Sequence, residues 1–222
     1  MPLNISNGNM YDFITHTWNT IKGECEHNCS YCYMKRWGKQ NLVRFDEKEL
    51  KTDLSFDNFI FVVSSNDMFS DNLNKDWIID TLIHCNNFDN SYLFQSKNVA
   101  RMVDFRKWLP KRTVICTTIE TNRYYPEIMN NSPKPYKRSF YMGLFKDRRK
   151  YVTVEPIMDF DLVELVNLIK NCDPEQVNIG ADTGNNKLPE PPKEKIFKLV
   201  SELNKFTKVH LKKNLNRIIK TK

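Results

Sequence analysis

Several absences narrow the class of this 222-residue chain. No eighteen apolar residues run together, which excludes a membrane-spanning helix. Met1 to Met10 hold no basic residue and no apolar core, so no secretory leader is read there, and a cytoplasmic protein with reduced thiols is expected. There is no glycine-rich phosphate loop of the Walker type, and nucleotide hydrolysis has no support. His16, His27, His84 and His210 form no ligand-spaced pair. What remains, 40% hydrophobic and 27% charged residues, is an ordinary globular composition, and the length suits one domain over residues 1–222 with a sizeable core.

Charge is unevenly distributed. The net balance is +7, but Arg123 to Lys150 carries eight basic and two acidic residues, and Lys193 to Lys222 carries ten basic and two acidic. Two such blocks either attract a polyanion or form solvated outer helices. In the first block the basic residues are interleaved with Tyr124, Tyr125, Tyr136, Phe140, Tyr141 and Phe145. That pattern suits stacking of unpaired bases. It suits equally an amphipathic helix from about Arg138 to Arg149 laid on a sheet.

Three of the six cysteines, Cys25, Cys29 and Cys32, fall within eight residues at C-x3-C-x2-C spacing. In a chain expected to keep its thiols reduced, this reads as a metal loop rather than a disulfide framework. Iron-sulfur cubanes take thiolate ligands, normally four. Three leave one iron open, and an open position is where a metal site does chemistry. The rival is a structural zinc loop with His27 or His16 as fourth ligand, but zinc loops usually present two separated ligand pairs, and no second C-x2-C or H-x3-H lies downstream.

The loop is embedded in a βα alternation. Strands are expected at Thr15 to Ile21, Phe59 to Ser64, Tyr92 to Gln95, Thr113 to Ile119, Tyr151 to Val154, Val177 to Ile179 and Lys208 to Leu211. Helices are expected from Tyr33 to Trp37, Lys75 to Cys85, Val99 to Leu109, after an Asp161/Glu164 cap, and after Pro191-Pro192. This alternation argues for an α/β fold with a parallel sheet curled into a barrel or part of one, whose site lies at the C-terminal ends of the strands. Those ends read Lys22-Gly23, Ser64 to Asp67, Ser96-Lys97, Glu120, Glu155 and Gly180 to Thr183, and polar and charged residues recur among them.

The cysteine spacing, with Tyr31 just before the last cysteine, resembles the signature of the radical S-adenosylmethionine (SAM) superfamily. Thr17 to Thr20, Val154 to Ile157 and Ile179 to Gly184 extend the likeness to a phage- and prophage-associated group of that superfamily, distantly similar to spore photoproduct lyase. The resemblance implies a partial (β/α)6-type TIM barrel. It implies a 4Fe-4S cluster on Cys25, Cys29 and Cys32, with SAM on the open iron and Tyr31 beside the adenine. The implied reaction is reductive cleavage of SAM to a 5'-deoxyadenosyl radical that takes hydrogen from a substrate, with an external flavodoxin- or ferredoxin-like electron donor.

Where the family carries a Gly-Gly-Glu-like turn, this chain has Ser65, Asn66 and Asp67, whose acceptors could hold the SAM amino group or could cap the next helix. Lys97 is assigned to the SAM carboxylate and Glu120 or Glu155 to the ribose hydroxyls, with buried salt bridges as the alternative for all three. Cys85, Cys116 and Cys172 read as small buried thiols. By resemblance, Cys116 on a barrel-lining strand is the candidate to return hydrogen to a product radical. The basic blocks point to a nucleic acid or nucleotide-derived base as substrate. The contrasting function is nucleic-acid binding with a purely structural iron-sulfur or zinc loop.

Overall fold

The computed structural model describes residues 3–7 and 11–220. Met1, Pro2 and Gly8 to Met10, half of the stretch read for a leader, lie outside the described residues, as does Lys222 of the second basic block. The strands are β1 (Asn4–Ile5), β2 (His16–Trp18), β3 (Ile21–Lys22), β4 (Arg44–Phe45), β5 (Phe59–Val62), β6 (Ser91–Gln95), β7 (Thr113–Thr118), β8 (Arg149–Val154), β9 (Gln176–Ile179) and β10 (Lys208–Leu211). The helices are α1 (Lys75–Asn86), α2 (Val99–Asp104), α3 (Pro126–Met129), α4 (Pro135–Gly143), α5 (Leu162–Cys172), α6 (Lys193–Leu203) and α7 (Asn216–Ile219).

The main sheet runs β1-β2-β5-β6-β7-β8-β9-β10. Every pair from β2 onward is parallel, and only β1 joins antiparallel. The result is a partial α/β barrel that does not close: β1 and β10 stand at its edges. It carries seven parallel strands where the resemblance implied six. The added strand is β10, paired in register with β9 through Val209 and Val177.

The outer face is packed by helices onto one large apolar core that includes Ile115, Val152, Val154, Val177 and Ile179. These residues alternate with a second set on the inner face, as the period of two requires. There Phe61, Leu93, Val114, Cys116 and Tyr151 meet Tyr11 and Ile14 from the segment before β2. The inner face is therefore largely filled from its lower end by the chain's own N-terminal segment. Farther along the strands it becomes polar: Tyr11 Oη donates to Gln95 Oε1 at 2.7 Å and meets Thr153 Oγ1 at 2.6 Å.

Several expectations change in the structure: the strand expected over Thr15 to Ile21 ends at Trp18, and Ile21–Lys22 pairs antiparallel with Arg44–Phe45 in a separate two-stranded sheet. The helix expected from Arg138 to Arg149 instead spans Pro135–Gly143. Proline suits its first turn, and Arg149-Lys150 are claimed by strand pairing with Val114-Ile115. The helix expected to reach Leu109 breaks after Asp104, and a 3-10 turn, Arg106–Trp108, leads to Pro110. Asp161 precedes α5 but makes no side-chain cap. Its carboxylate instead takes Arg123 Nη2 at 2.7 Å and Asn122 Nδ2 at 3.0 Å, because a bidentate guanidinium outcompetes one backbone N–H.

Candidate functional site

Gly23 opens the cysteine loop with φ +105°, and a Cβ there would lie 2.5 Å from the Leu42 carbonyl oxygen, so only glycine fits. The loop then turns through Asn28 at φ 47° and ends in a 3-10 turn over Tyr33–Trp37. Two flanking segments hold it. On one side Asn66 Nδ2 donates to the carbonyls of Gly23 and Glu24, both at 3.1 Å. On the other, Ser30 N donates to Ile128 O at 2.9 Å, and Asn130 Nδ2 donates to Asn28 O at 2.9 Å.

Asp67 is the centre of this anchoring. Its Oδ2 meets His27 Nε2 at 2.8 Å and accepts from Lys97 N at 2.7 Å, while Oδ1 accepts from Ser96 Oγ at 2.7 Å and Phe69 N at 3.1 Å. Burial works to raise its pKa, but His27, Ser96 and the Lys97 amide hold the carboxyl below its ordinary range. Asn66 and Asp67 thus fix the loop, where the sequence leaves their acceptors open between the SAM amino group and a helix cap. Ser65 donates from N and Oγ to Asn19 Oδ1 at 3.1 and 3.2 Å, which leaves the lone pairs of its hydroxyl uncommitted. The turn begins at Val63 with φ 53°, a strained conformation for a β-branched residue, held by Val63 N donating to Trp18 O at 2.7 Å.

The thiols differ in setting. Cys29 is buried, and Cys25 and Cys32 are half-buried. Burial and the Asp67 charge push the Cys25 thiol up to about 11. Among the described residues no three His, Cys, Asp or Glu side chains gather tightly enough for one metal ion. A donor set of three thiolates on one loop suits a cluster, whose ligands attach to different irons. His27, the fourth ligand a zinc site would draw on, meets Asp67 through Nε2 and leaves Nδ1 without a hydrogen-bond partner, and His16 lies on β2 beside Thr15.

Beside Cys29 lies a buried charge relay. Lys97 Nζ donates to Cys29 Sγ at 3.0 Å and Tyr31 Oη at 2.6 Å, and stands 3.2 Å from Glu120 Oε1. Tyr31 Oη donates to the same Glu120 oxygen. Glu120 Oε2 accepts from Arg138 Nη1 at 2.7 Å, and neither side chain is exposed to solvent. Arg138 also donates to Thr118 O, Pro133 O and Ser132 Oγ. Burial would raise the Glu120 pKa, but Arg138, Lys97 and Tyr31 outweigh it and hold the carboxyl at about 2. Burial also disfavours the Lys97 charge, yet Cys29, Tyr31 and Glu120 more than offset that and keep the ammonium protonated.

Glu155 ends the neighbouring strand in a separate group. Lys212 Nζ donates to its Oε2 and Asn214 Nδ2 to its Oε1, the latter at 2.6 Å. Gly180 makes room for it, since a Cβ there would lie 2.6 Å from Glu155 Oε1. Cys116 sits deeper on the inner face, 3.5 Å from Thr153 Oγ1, and burial pushes its thiol up to about 12 against hydrogen bonds from Thr153 and Tyr11. Cys85 and Cys172 are buried on the outer face. The structure therefore gathers Cys25, Cys29, Cys32, Tyr31, Ser65, Asn66, Asp67, Lys97 and Glu120 around one loop, and places Glu155 and Cys116 apart from them.

The sequence assigns no individual role to Asn19, Ser96, Tyr11, Arg138 or Lys212: Ser96 reads only as a strand end, and Arg138 and Lys212 only as members of the basic blocks. A carboxylate directly after the buried strand β7 signals that a cation must come from elsewhere, but not which one. The basic blocks also look different once folded. Arg148 and Arg149 lie where β8 begins, at the end of the sheet opposite the cysteine loop. In the second block Lys195, Lys205, Lys212 and Arg217 pair with Asp159, Glu202, Glu155 and Glu190. Among the described residues no helix is long and apolar enough to cross a membrane.

In sequence the chain matches no protein-family model and no curated protein. In structure it is similar to spore photoproduct lyase complexed with dinucleoside spore photoproduct, at 11% identity and a TM-score of 0.68, over 94% of this chain and 78% of that one. A double mutant of that lyase with bound AdoMet and dinucleoside spore photoproduct matches over the same shares at 10% identity and 0.68. At such low identity the likeness concerns the backbone, and over nearly its whole length this chain has the fold of spore photoproduct lyase.

Proposed function

We propose that this chain is a radical SAM enzyme acting on a nucleic acid or a nucleotide-derived base. The observation that carries the reading is the pinned three-cysteine loop at the C-terminal end of an open parallel barrel, with Lys97, Tyr31 and Glu120 packed against Cys29. Cys25, Cys29 and Cys32 would hold the 4Fe-4S cluster. Bound SAM would supply the 5'-deoxyadenosyl radical on one-electron reduction by a flavodoxin- or ferredoxin-like donor. The solved neighbours with AdoMet and a dinucleoside lesion support both cofactor and substrate class.

The chain's own residues divide the remaining work. Lys97, kept charged beside Cys29, is placed to neutralise the SAM carboxylate. Tyr31, whose hydroxyl is tied to Lys97 and Glu120, presents its ring beside the loop for the adenine. Glu120 is sealed from solvent with both oxygens engaged, so it would position Lys97 and Tyr31, and the ribose role would fall to Glu155, whose 21% exposed side chain could exchange Lys212 or Asn214 for a ligand hydroxyl. Ser65 is the free acceptor left for the SAM amino group, while Asn66 and Asp67 keep the loop in place. Cys116, buried on the inner face, is the candidate to return hydrogen to a product radical.

Anaerobic reconstitution with iron and sulfide should load about four irons per chain. Dithionite and SAM should then yield 5'-deoxyadenosine. Alanine at Cys25, Cys29 or Cys32 should abolish both, and serine at Cys85 or Cys172 should spare the iron. Tight stoichiometric zinc with no iron uptake and no 5'-deoxyadenosine would overturn the reading.

A further inference from the structure

A cleft of about 670 Å³ opens between α2 and α4, and its lining includes Lys97, the residue that touches Cys29 and Tyr31. Arg101, Lys134, Lys137 and Arg138 add four more cations to its walls, against Asp71 and Asp104. Asp71 already accepts from Asn98 Nδ2 at 2.9 Å, and Arg138 is paired with Glu120. The other three cations are not neutralised by carboxylates. Arg101 Nη2 donates to Leu73 O at 2.6 Å, which fixes the guanidinium, and its Nη1 has no hydrogen-bond partner. Lys134 and Lys137 are exposed; Lys134 lies over the Tyr124 ring, 5.0 Å from its centre.

Three cations without carboxylate partners, Arg101, Lys134 and Lys137, line one cleft and call for an anion with several acceptor oxygens. We propose that this cleft seats a backbone phosphate of the nucleic-acid substrate, and so positions the strand beside the cysteine loop. The inference rests on the nucleic-acid reading above and adds where the phosphate is held. Of the eight cations in the first basic block, only those near the α4 N-terminus take part. Arg149 is spent on Glu175, and Lys150 on Asp173, at the far end of the sheet.

The test is fluorescence anisotropy of a labelled oligothymidylate on the reconstituted protein, titrated against salt. Lys134→Ala with Lys137→Ala should lower the slope of log K against log salt by about 0.7, the contribution of one phosphate contact of a single strand. Lys134→Glu with Lys137→Glu should weaken binding at least ~10-fold at low salt. The same reversals at Lys111 and Lys146, exposed residues that precede β7 and β8, serve as the control and should leave slope and affinity as in the wild type. Thermal midpoints of all variants check folding. If wild type binds but the α4 pair changes nothing, or the control pair weakens binding equally, the seat is wrong while the nucleic-acid reading stands. If wild type binds no oligonucleotide at low salt, that reading itself fails. Displacement of the oligonucleotide by polyglutamate at equal charge concentration would overturn the proposal in favour of an acidic polypeptide.

Discussion

Glu120 and Glu155 follow adjacent strands at the same end of the sheet, and in sequence nothing distinguishes their roles. Folded, they diverge. Glu120 is wholly buried and both its oxygens are engaged, by Arg138 on one side and by Tyr31 and Lys97 on the other. Glu155 keeps 21% of its side chain exposed and is held by the flexible Lys212 and by Asn214. A carboxylate sealed from water must have all its charge and lone pairs met by protein, so it becomes part of the scaffold. One at the rim keeps room to exchange a protein partner for a ligand. What separates the two strand-end carboxylates is therefore exposure, not spare oxygens: only at Glu155 could a ligand displace a protein partner.

The comparison can be broken most forcefully at Arg138. Arg138→Ala strands Glu120 as a buried, partly compensated charge and should cost about 3–5 kcal/mol, whereas Lys212→Ala at the rim pair should cost about 1 kcal/mol. Urea unfolding of both variants measures the gap, and equal losses would mean that the two carboxylates are held alike.

A second effect is the acid limb of stability. Glu120 has a folded pKa of about 2 against an ordinary 4.5, so its contribution is fully present above 4.5 and is lost as pH falls toward 2. That contribution is about 3 kcal/mol at neutral pH. Other depressed carboxyls, Asp67 among them, lose stability in acid too, so the informative quantity is the difference between wild type and Glu120→Gln. Urea midpoints between pH 6 and pH 3 should show the two converging as pH falls. A constant gap would show that the depression is absent.

The smallest effect sharpens the rim. In Gly180→Ala the new Cβ would crowd Glu155 Oε1 and loosen its bond to Asn214, at a cost of about 1 kcal/mol. Under the proposed function, isothermal titration should also show weaker SAM binding, whereas Glu120 variants lose stability first. Unchanged SAM affinity in Gly180→Ala would remove Glu155 from the cofactor site.

The linear sequence determined what is local. Runs such as Phe59 to Val62 and Thr113 to Thr118 are buried strands because β-branched and aromatic residues fit a pleated interior. The spacing of Cys25, Cys29 and Cys32, and the polar residues recurring at the strand ends, mark one end of the sheet as the candidate site from sequence alone. Tertiary structure decided what depends on pairing across distance. Every residue of β7 is buried, so alternation alone could not say that Cys116 faces inward with Tyr11 and Tyr151. Arg138 reads as one cation among eight, and only the packing of α4 against β7 brings it to Glu120. Asp67 reads as a ligand-binding acceptor until His27, 40 positions earlier, and Ser96, 29 positions later, claim its oxygens. Propensity and periodicity act over a few residues, whereas satisfying a buried charge draws on whatever the fold brings within hydrogen-bond reach.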